Sequence, residues 1–407
     1  MSVSDLLRAV DSCRVCGAPL EERLASFPPL PVAGTYGRQG AATSEPLFPL
    51  TLLRCRACGL VQLRESLEPS FYSQYKFLSG VAGAYREHLN WLADGLGRAG
   101  NVLEIGASDG TLLELLRARG CGVAGFEPAR EPAARAWKKD LAVLNEFFGR
   151  ETARFCPLPS VDVVVIRHVL EHIDDFAAIF EGLEQLIGPE TRLVVEVPDL
   201  RSTVDGAIYG NIYHIHPCYF DVASMSRLLA RYGWQPEGAR IVDIFGGSLL
   251  LEARREGRTG EGRGLVSQGT APGPVEPREL EAFARDWRAT AAAVRRFFDE
   301  LRATGARVAG YGAAERTTAL LGTAGLDASH LSALYDRNPA LEGLATPGSH
   351  IPIRHPRRIL EDRPDYLVIF ARSFEDEIVR ELAAYRAQGG RIVSTRTAPP
   401  RVLECAA

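Results

Sequence analysis

Four of the eight cysteines form two matched pairs, Cys13 with Cys16 and Cys55 with Cys58, each spaced Cys-x-x-Cys and followed by glycine. Thiolates at this spacing can hold one tetrahedral zinc ion, and the glycine gives each turn the backbone freedom to aim both sulfurs at the metal. A redox pair is the alternative, but neither pair stands in a thioredoxin-like context. Four ligands leave no open coordination position, so we predict a structural zinc. The other cysteines share no spacing and are expected to pack: Cys121, Cys156, Cys218 and Cys405.

A second group of reactive side chains comprises Tyr213, His214, His216 and Tyr219. Imidazole and phenol groups can move protons near neutral pH. A single unexplained histidine is more often a surface or core residue than a functional one. Because this group follows the fifth strand of a predicted parallel sheet, on the side where ligands collect, we predict a catalytic role for it.

The elements that must position these groups begin with a strand, a glycine turn and a helix over residues 102–116. Gly106 and Gly110 let the backbone approach a ligand closely, and the helix start offers free N–H groups. The turn lacks the Gly-x-Gly-x-x-Gly pattern of dinucleotide-binding proteins and the Lys-Ser/Thr of a P-loop. Glu127 ends the next strand, where an acidic side chain can accept hydrogen bonds from two ribose hydroxyls.

The fourth strand, residues 161–166, is followed by His168 and His172. Such a strand end lies beneath the ligand in doubly wound sheets. The spacing of the two histidines by four residues also permits a metal-binding face, but the pattern of a His-Glu-x-x-His metal site is absent. We therefore favour cofactor contact for His168.

The remaining chain predicts two α/β units. Helix 176–187, strand 192–199 and a final antiparallel strand pair complete the first sheet, and residues 254–276 are expected to form a mobile linker. A long helix over 277–304 then leads to a second strand-turn-helix unit at Gly312. The predicted domains are a zinc-binding domain at 1–68, a doubly wound α/β domain at 69–255, a linker and helix at 256–300 and a Rossmann-like α/β domain at 301–407.

The pattern E-x-G-x-x-x-G from Glu104 to Gly110, with Glu127 at the next strand end, resembles the class I S-adenosylmethionine (SAM) methyltransferases. The cysteine pairs, the His/Tyr group and the Gly-Tyr-Gly-Ala turn at 310–313 extend this likeness over nearly the whole chain. Together they resemble the three-domain sugar C-methyltransferases of bacterial deoxysugar pathways. That resemblance implies SAM and structural zinc as cofactors, and a nucleotide-linked 4-keto-deoxysugar, usually dTDP-linked, as the acceptor in antibiotic or other secondary-metabolite biosynthesis.

The resemblance also implies residue roles. His216 is the expected base that removes a proton next to the ketone, with Tyr213, His214 and Tyr75 as further catalytic candidates. The expected cofactor-binding residues are Glu104, Gly106, Ala107, Asp109, Gly110, Glu127, Pro128 and His168. The expected acceptor-binding residues are Tyr219, Tyr311, Gly312, Arg316 and His350.

The chain departs from the family pattern at three places: Ile215 replaces a glutamate, Arg316 replaces a lysine, and Arg372-Ser373 replaces a Trp-Asn pair. A carboxylate at 215 would orient a histidine or raise its pKa, so a C-methylating enzyme with Ile215 must find that support elsewhere. Two alternatives therefore stay open, namely a SAM-dependent enzyme that methylates oxygen or nitrogen, and a nucleotide-sugar-binding protein that has lost its activity.

Composition limits the partners. The 407 residues carry a net charge of −4, which argues against a general nucleic-acid-binding protein. We find neither a signal peptide nor an apolar run long enough to span a bilayer, so we expect a cytoplasmic protein with no membrane partner. A small-molecule nucleotide sugar is the expected partner, and a monomer is the expected state.

Overall fold

The computed structural model describes residues 6–20, 22–39, 45–74, 78, 83–97, 100–255 and 273–404. Three predictions fall outside these ranges: most of the mobile linker, at 256–272, the catalytic candidate Tyr75, and Cys405.

The strands in the described ranges vary in length from 2 to 12 residues. They are β1 (Leu7–Ala9), β2 (Glu22–Leu30), β3 (Gly37–Arg38), β4 (Phe48–Arg54), β5 (Val61–Leu63), β6 (Glu65–Leu67), β7 (Asn101–Ile105), β8 (Gly122–Phe126), β9 (Val143–Leu144), β10 (Val161–Arg167), β11 (Ile187–Pro198), β12 (Cys218–Tyr219), β13 (Trp234–Val242), β14 (Ser248–Arg255), β15 (Val308–Tyr311), β16 (Leu334–Tyr335), β17 (Leu344–Ala345), β18 (Ile353–Arg354), β19 (Tyr366–Ile369), β20 (Arg391–Ser394) and β21 (Arg401–Val402).

The helices alternate with these strands. They are α1 (Gly83–Leu96), α2 (Thr111–Ala118), α3 (Arg130–Trp137), α4 (Phe176–Leu183), α5 (Leu200–Asp205), α6 (Val222–Arg231), α7 (Pro277–Ala303), α8 (Glu315–Ala324), α9 (Ile359–Asp362), α10 (Glu375–Glu381) and α11 (Ala383–Ala387). Within the described ranges, no helix combines the length and the apolar character needed to cross a membrane.

The chain divides into two compact units. The first comprises Met1–Leu24, Leu52–Gly206 and His216–Pro277, and the second comprises Ala25–Thr51, Ala207–Ile215 and Arg278–Ala407. The boundary therefore falls within the predicted catalytic group, between Ile215 and His216. The finer division into four segments remains a prediction.

A seven-stranded sheet forms the centre of the first unit, in the order β13-β14-β11-β10-β7-β8-β9. The five strands from β11 to β9 pair in parallel, and β14 and β13 add an antiparallel edge, as the sequence predicts. Parallel strands are covered on both faces, which explains why β10 is an almost continuous run of buried valine and isoleucine. The carboxyl ends of β7, β8 and β10 therefore meet along one edge of the sheet.

Aspartates set the starts of three helices in this unit. Asp175, Asp199 and Asp221 each accept a hydrogen bond from a backbone N–H in the first turn of α4, α5 and α6. These caps satisfy amide groups that would otherwise lack partners. The helix predicted over 176–187 ends earlier, at Leu183, because β11 already begins at Ile187.

The second unit has a six-stranded sheet in the order β18-β16-β15-β19-β20-β21, parallel except for β21. The predicted long helix and the second strand-turn-helix unit are confirmed as α7 and as β15 followed by α8. The stretch between the cysteine pairs does not belong to one unit with them. Residues Ala25–Thr51 belong to the second unit, where Phe27 packs edge-on against Trp287 with ring centroids 5.1 Å apart.

Candidate functional site

The four predicted zinc ligands lie together. Their sulfur atoms are all within 4.8 Å of one another, with 3.4 Å between Cys13 Sγ and Cys58 Sγ and 3.5 Å between Cys16 Sγ and Cys55 Sγ. Ligands about 2.3 Å from one zinc ion are separated by about 3.8 Å in a tetrahedron, so this closed set of thiols fits the metal. Zinc held here would fix the two turns without taking part in chemistry.

The two turns have the same construction. Gly17 donates its N–H to the Cys13 carbonyl and Gly59 donates its N–H to the Cys55 carbonyl, and the N···O distance is 2.8 Å in both cases. Both glycines have positive φ, 75° and 78°, where a side chain would be strained. The glycine after each cysteine pair therefore serves the geometry that the sequence predicts.

The glycine turn after β7 is tied to the end of β8 by Glu127. One carboxylate oxygen accepts the Ser108 N–H and the other accepts the Ala129 N–H, both at 2.8 Å. Burial raises the pKa of Glu127 to about 7, although these two hydrogen bonds act in the opposite direction. Each oxygen keeps a further lone pair, so the carboxylate can still accept hydrogen bonds from the hydroxyl groups of a ligand.

Other predicted cofactor-binding residues form the surroundings of this turn. Gly106 and Ala107 both donate their N–H groups to the Phe126 carbonyl, at 2.8 and 3.0 Å. The Asp109 carboxylate accepts from the Thr111 hydroxyl at 2.7 Å at the start of α2, and the Pro128 carbonyl accepts from an asparagine amide at 2.9 Å. These contacts hold the backbone of the turn in one conformation.

Gly106 also brings the end of β10 to the turn. A Cβ atom on Gly106 would lie 2.3 Å from the Val169 Cγ2 atom, so the residue after His168 packs directly on the glycine. This close approach places the segment 168–172 beside the predicted cofactor turn.

Glu104 lies beneath the turn and is fully buried. Its Oε1 atom accepts two hydrogen bonds from Arg167, the shorter at 2.6 Å, and Arg167 also donates to the Tyr85 hydroxyl at 2.5 Å. Its Oε2 atom is buried and accepts no hydrogen bond within the described ranges. That oxygen is therefore able to accept one from a bound cofactor.

His168 connects two buried carboxylates. Its Nδ1 atom is 3.4 Å from Glu171 Oε1, and its Nε2 atom is 3.3 Å from Glu196 Oε1. Burial would lower the pKa of His168, but the nearby charges of Glu171 and Glu196, together with the hydrogen bond to Glu196, raise it. The predicted cofactor residue His168 is thus also part of an acid–imidazole network.

His88 extends the network, with 3.0 Å between its Nε2 atom and Glu196 Oε2. Burial would raise the pKa of Glu196, but the hydrogen bonds from His168 and His88 hold it well below its ordinary value. We did not single out His88 or Glu196 from the sequence. A glutamate inside the buried apolar run 193–198 of strand β11 was the available indication.

His172 and His216 meet on the first unit. Their ring centroids are 4.9 Å apart with an interplanar angle of 62°. One side-chain atom from each of them and a carboxylate oxygen of Glu171 all lie within 4.8 Å of one another. The predicted base, His216, therefore has an imidazole and a carboxylate as neighbours.

Two contacts with the cysteine-containing segment hold this pair. β12 follows His216 and pairs antiparallel with β5, and the Leu63 N–H donates to the Pro217 carbonyl at 2.8 Å. On the other side, Asp174 accepts from the buried Arg14 side chain at 2.5 Å. His216 is thus followed directly by Pro217, and His172 lies two residues before Asp174. Both Pro217 and Asp174 are hydrogen-bonded to the segment that carries the cysteine pairs.

The other members of the predicted catalytic group have different surroundings. His214, in the second unit, is buried with 2.9 Å between its Nε2 atom and the Pro49 carbonyl oxygen. Burial lowers the pKa of His214 to about 4 despite that hydrogen bond. This environment favours a structural role for His214. Tyr213 and Tyr219 are both buried, Tyr219 on β12.

Tyr72 is a tyrosine near the pair that we did not select. It lies in a short 3-10 helix, Pro69–Gln74, and its ring centroid is 5.4 Å from that of His172. Its position three residues before Tyr75 in the same aromatic stretch was the only indication in the sequence.

The predicted acceptor-binding residues of the second unit lie on three elements. The Tyr311 hydroxyl at the end of β15 accepts from Arg337 at 3.0 Å, and burial raises the pKa of Tyr311. Gly312 has a φ of 97° at the following turn, and Arg316 lies in the first turn of α8. His350 has a φ of 51° in the loop before β18.

Comparison with known proteins identifies three domains in the chain. Residues 13–71 match a "zinc binding domain", residues 77–237 match a "methyltransferase domain" and residues 243–395 match a "C-methyltransferase C-terminal domain". These matches make the chain a methyltransferase.

Solved structures with low identity were also found. The magnesium protoporphyrin IX methyltransferase of Synechocystis PCC 6803 is 20% identical, with a TM-score of 0.34, and covers 42% of this chain and 84% of its own. A SAM-dependent methyltransferase of Archaeoglobus fulgidus is 17% identical, with a TM-score of 0.35, and covers 42% of this chain and 93% of its own.

A curated relative matches nearly the full length. The protein named C-methyltransferase NovU, from Streptomyces niveus, is 31% identical in an alignment of 407 positions that covers 96% of this chain and 96% of the relative. The chain belongs to the C-methyltransferase family that contains this relative.

Proposed function

We propose that the protein transfers a methyl group from SAM to the carbon next to the ketone of a nucleotide-linked 4-keto-deoxysugar, with dTDP as the expected nucleotide. Membership of the C-methyltransferase family supports carbon as the acceptor atom. The observation that carries the proposal is the contact between buried His216 and half-buried His172, one short segment away from the residue that packs on the Gly106 turn.

The glycine turn is the proposed cofactor site. Bound SAM would supply an electrophilic methyl group. Glu127 would accept hydrogen bonds from the ribose hydroxyls, since its carboxylate is held at the strand end by the Ser108 and Ala129 amides. The missing side chain at Gly106 leaves the backbone free to approach the ligand. The Oε2 atom of Glu104, which has no hydrogen-bond partner among the described residues, offers a further acceptor.

His216 is the proposed base. A carbon next to a ketone is acidic enough for a positioned imidazole to take its proton, so the C–H bond breaks, an N–H bond forms and the electron pair spreads onto the ketone oxygen. With SAM bound, the enolate carbon would form the new bond to the methyl carbon while the bond from that methyl to the sulfonium sulfur breaks, and S-adenosylhomocysteine would leave with the electron pair. Tyr213 and Tyr75 are the proposed donors to the enolate oxygen.

The second unit is proposed to bind the nucleotide part of the acceptor through Tyr311, Gly312, Arg316 and His350. Glycine turns followed by a helix start are suited to phosphate groups. This assignment follows from the resemblance in sequence. Tyr219 in the first unit is the proposed contact to the sugar.

Proton removal can be measured apart from methyl transfer. We expect the wild-type protein, in deuterated water with S-adenosylhomocysteine in place of SAM, to exchange the hydrogen at the reacting carbon of a dTDP-4-keto sugar. His216→Gln should slow this exchange by a factor of roughly 10² to 10⁴, the usual effect of removing a general base, and leave SAM affinity unchanged.

His214→Gln is the matched control, because His214 is a buried histidine two residues away. Native exchange in the His216 variant combined with loss in the His214 variant would move the role of base to His214. If wild-type protein exchanges no sugar in a panel of 4-keto acceptors but methylates an oxygen or nitrogen acceptor, the proposed reaction is wrong.

A further inference from the structure

Glu171 is a buried carboxylate that the proposed reaction does not yet use. It lies in a 3-10 turn, Leu170–His172, and is only 2% exposed. Neither of its oxygens accepts a hydrogen bond from the described part of the chain, and its ion-pair contact is the one at 3.4 Å with His168 Nδ1. A buried carboxylate is costly unless positive charge lies close to it, so its position requires an explanation.

The positive charge can come from the proton that the reaction moves. The Glu171 carboxylate lies within 4.8 Å of a side-chain atom of both His172 and His216. An imidazole that takes a proton from the acceptor becomes a cation, and a carboxylate at this distance in a buried site favours the cation. The residue before the base, Ile215, is fully buried and apolar and supplies no charge.

We propose that Glu171 is the positioning carboxylate of the His172/His216 pair, orienting the imidazoles and stabilising the cation that forms when His216 takes the proton. The proposal rests on the proposed function and adds a residue to it. Glu171 touches His168 as well, so it also joins the pair to the carboxylate Glu196 inside the sheet.

Several titratable groups surround the cluster and contribute to its response to pH. They are Tyr72 beside His172, His168 and Glu196 in the network, and Cys218, which interacts electrostatically with Glu171, Asp174 and Arg14. The test therefore compares variants with each other at every pH, so that the contributions of these groups cancel.

The deciding variant is Glu171→Gln in the full-length, zinc-loaded protein. Removing the charge should lower the rate of hydrogen exchange and kcat by about 10- to 100-fold, because a nearby charge shifts a pKa by roughly one to two units. The ascending limb of the pH profile of kcat/KM should move to lower pH, while SAM affinity stays unchanged. Glu171→Asp should restore part of kcat.

Glu252→Gln is the control for removing a buried glutamate charge, because Glu252 is 1% exposed on β14 and paired with Arg192 outside the cluster. It should keep the native exchange rate and pH profile. Native exchange and an unmoved pH limb in Glu171→Gln would overturn the proposal. If that variant does not fold, Glu171→Met, which also removes the charge, takes its place, and native exchange with an unmoved ascending limb in Glu171→Met would overturn the proposal.

Two further outcomes separate this proposal from others. Absence of exchange in the wild-type protein refutes the proposed function, whereas exchange that survives in Glu171→Gln refutes only the role of Glu171. Two histidines and a carboxylate are also a possible ligand set for a divalent metal. Metal analysis should find one ion per chain, the zinc of the four cysteines, in both the wild type and Glu171→Gln. Two ions per chain in the wild type and one in Glu171→Gln would overturn the proposal in favour of a metal site.

Discussion

At the scale of single residues, Glu127 is a buried carboxylate with two properties that bear on cofactor binding. It is fixed by two backbone amides, and burial raises its pKa to about 7. At neutral pH the protonated and ionised forms are therefore both populated. Ribose hydroxyls donate hydrogen bonds to the ionised form, so a bound cofactor should favour loss of the proton.

We therefore predict that SAM binds more tightly as the pH rises through 7. The ionised fraction of a group with this pKa is about 0.1 at pH 6 and about 0.9 at pH 8, which gives an affinity gain of about tenfold. Calorimetric titrations at several pH values would measure it. Glu127→Gln should bind SAM more weakly, and its SAM affinity should not rise in this way with pH. The variant also serves as a control for the titration of SAM itself, which is the same in both measurements. An equal pH dependence in both proteins would refute the prediction.

At the scale of elements, the glycine turn depends on contact with the end of β10. Gly106 combines a φ of 75° with a hypothetical Cβ that lies 2.3 Å from Val169, whereas Gly120 has a φ of 90° and nothing within 4 Å. A comparison of the two glycines separates backbone strain from steric overlap. An alanine would be strained at both positions, but it would overlap a neighbouring side chain only at Gly106.

Gly120→Ala should cost about 1 kcal/mol of unfolding free energy from strain, and Gly106→Ala about 2 to 3 kcal/mol more from overlap. Urea unfolding would measure both. Adding Val169→Ala to Gly106→Ala should recover much of the overlap cost but none of the strain. Equal losses in the two single variants would show that Val169 yields without cost and that the turn does not depend on this contact.

The cysteine turns are the second element with a measurable role, because β5 follows one of them and pairs with β12 next to His216. Loss of zinc in Cys16→Ser should lower Tm by several degrees and reduce methyl transfer more than SAM affinity. Cys156→Ser, a half-buried cysteine outside the cluster, is the control. Full stability and activity with well under one zinc per chain would contradict a structural zinc.

At the scale of the whole molecule, neither unit is a continuous piece of chain. The second unit draws on Ala25–Thr51 and Ala207–Ile215 as well as on the chain after Arg278. Tyr209 from the middle segment stacks on Phe283 of α7 with ring centroids 4.6 Å apart. Cutting the chain after the first sheet would therefore expose aromatic residues that are buried in the intact unit.

We predict that a chain ending at residue 262 binds a hydrophobic dye and unfolds with a broad, weakly cooperative transition. Co-expression with residues 263–407 should restore a sharp transition, because the buried contacts of the second unit then re-form. Circular dichroism and dye fluorescence would measure both states. A sharp transition for the shorter chain alone would contradict the prediction. It would show that Ala25–Thr51 and Ala207–Ile215, the parts of the second unit that the shorter chain keeps, fold without α7.

The sequence alone determined the elements whose information is local. The Cys-x-x-Cys-Gly pairs, the glycine turn after β7, the apolar strands β7, β8, β10 and β19 and the long helix α7 all follow from short-range patterns, since turns need glycine and buried strands need apolar residues. The zinc site is the clearest case, because its ligand types and spacing are sufficient to predict the cluster that the structure contains.

Only the tertiary structure decided which reactive groups meet. His172 and His216 are 44 residues apart, and β12–β5 pairing and the Arg14–Asp174 contact bring them together. His214 and His216 are only two residues apart, yet they fall into different units, although the sequence presents them as one group. Glu171 became visible only as a neighbour of that pair. Burial and long-range contact, which set the chemistry of titratable groups, are properties of the packed chain that no local pattern of residues contains.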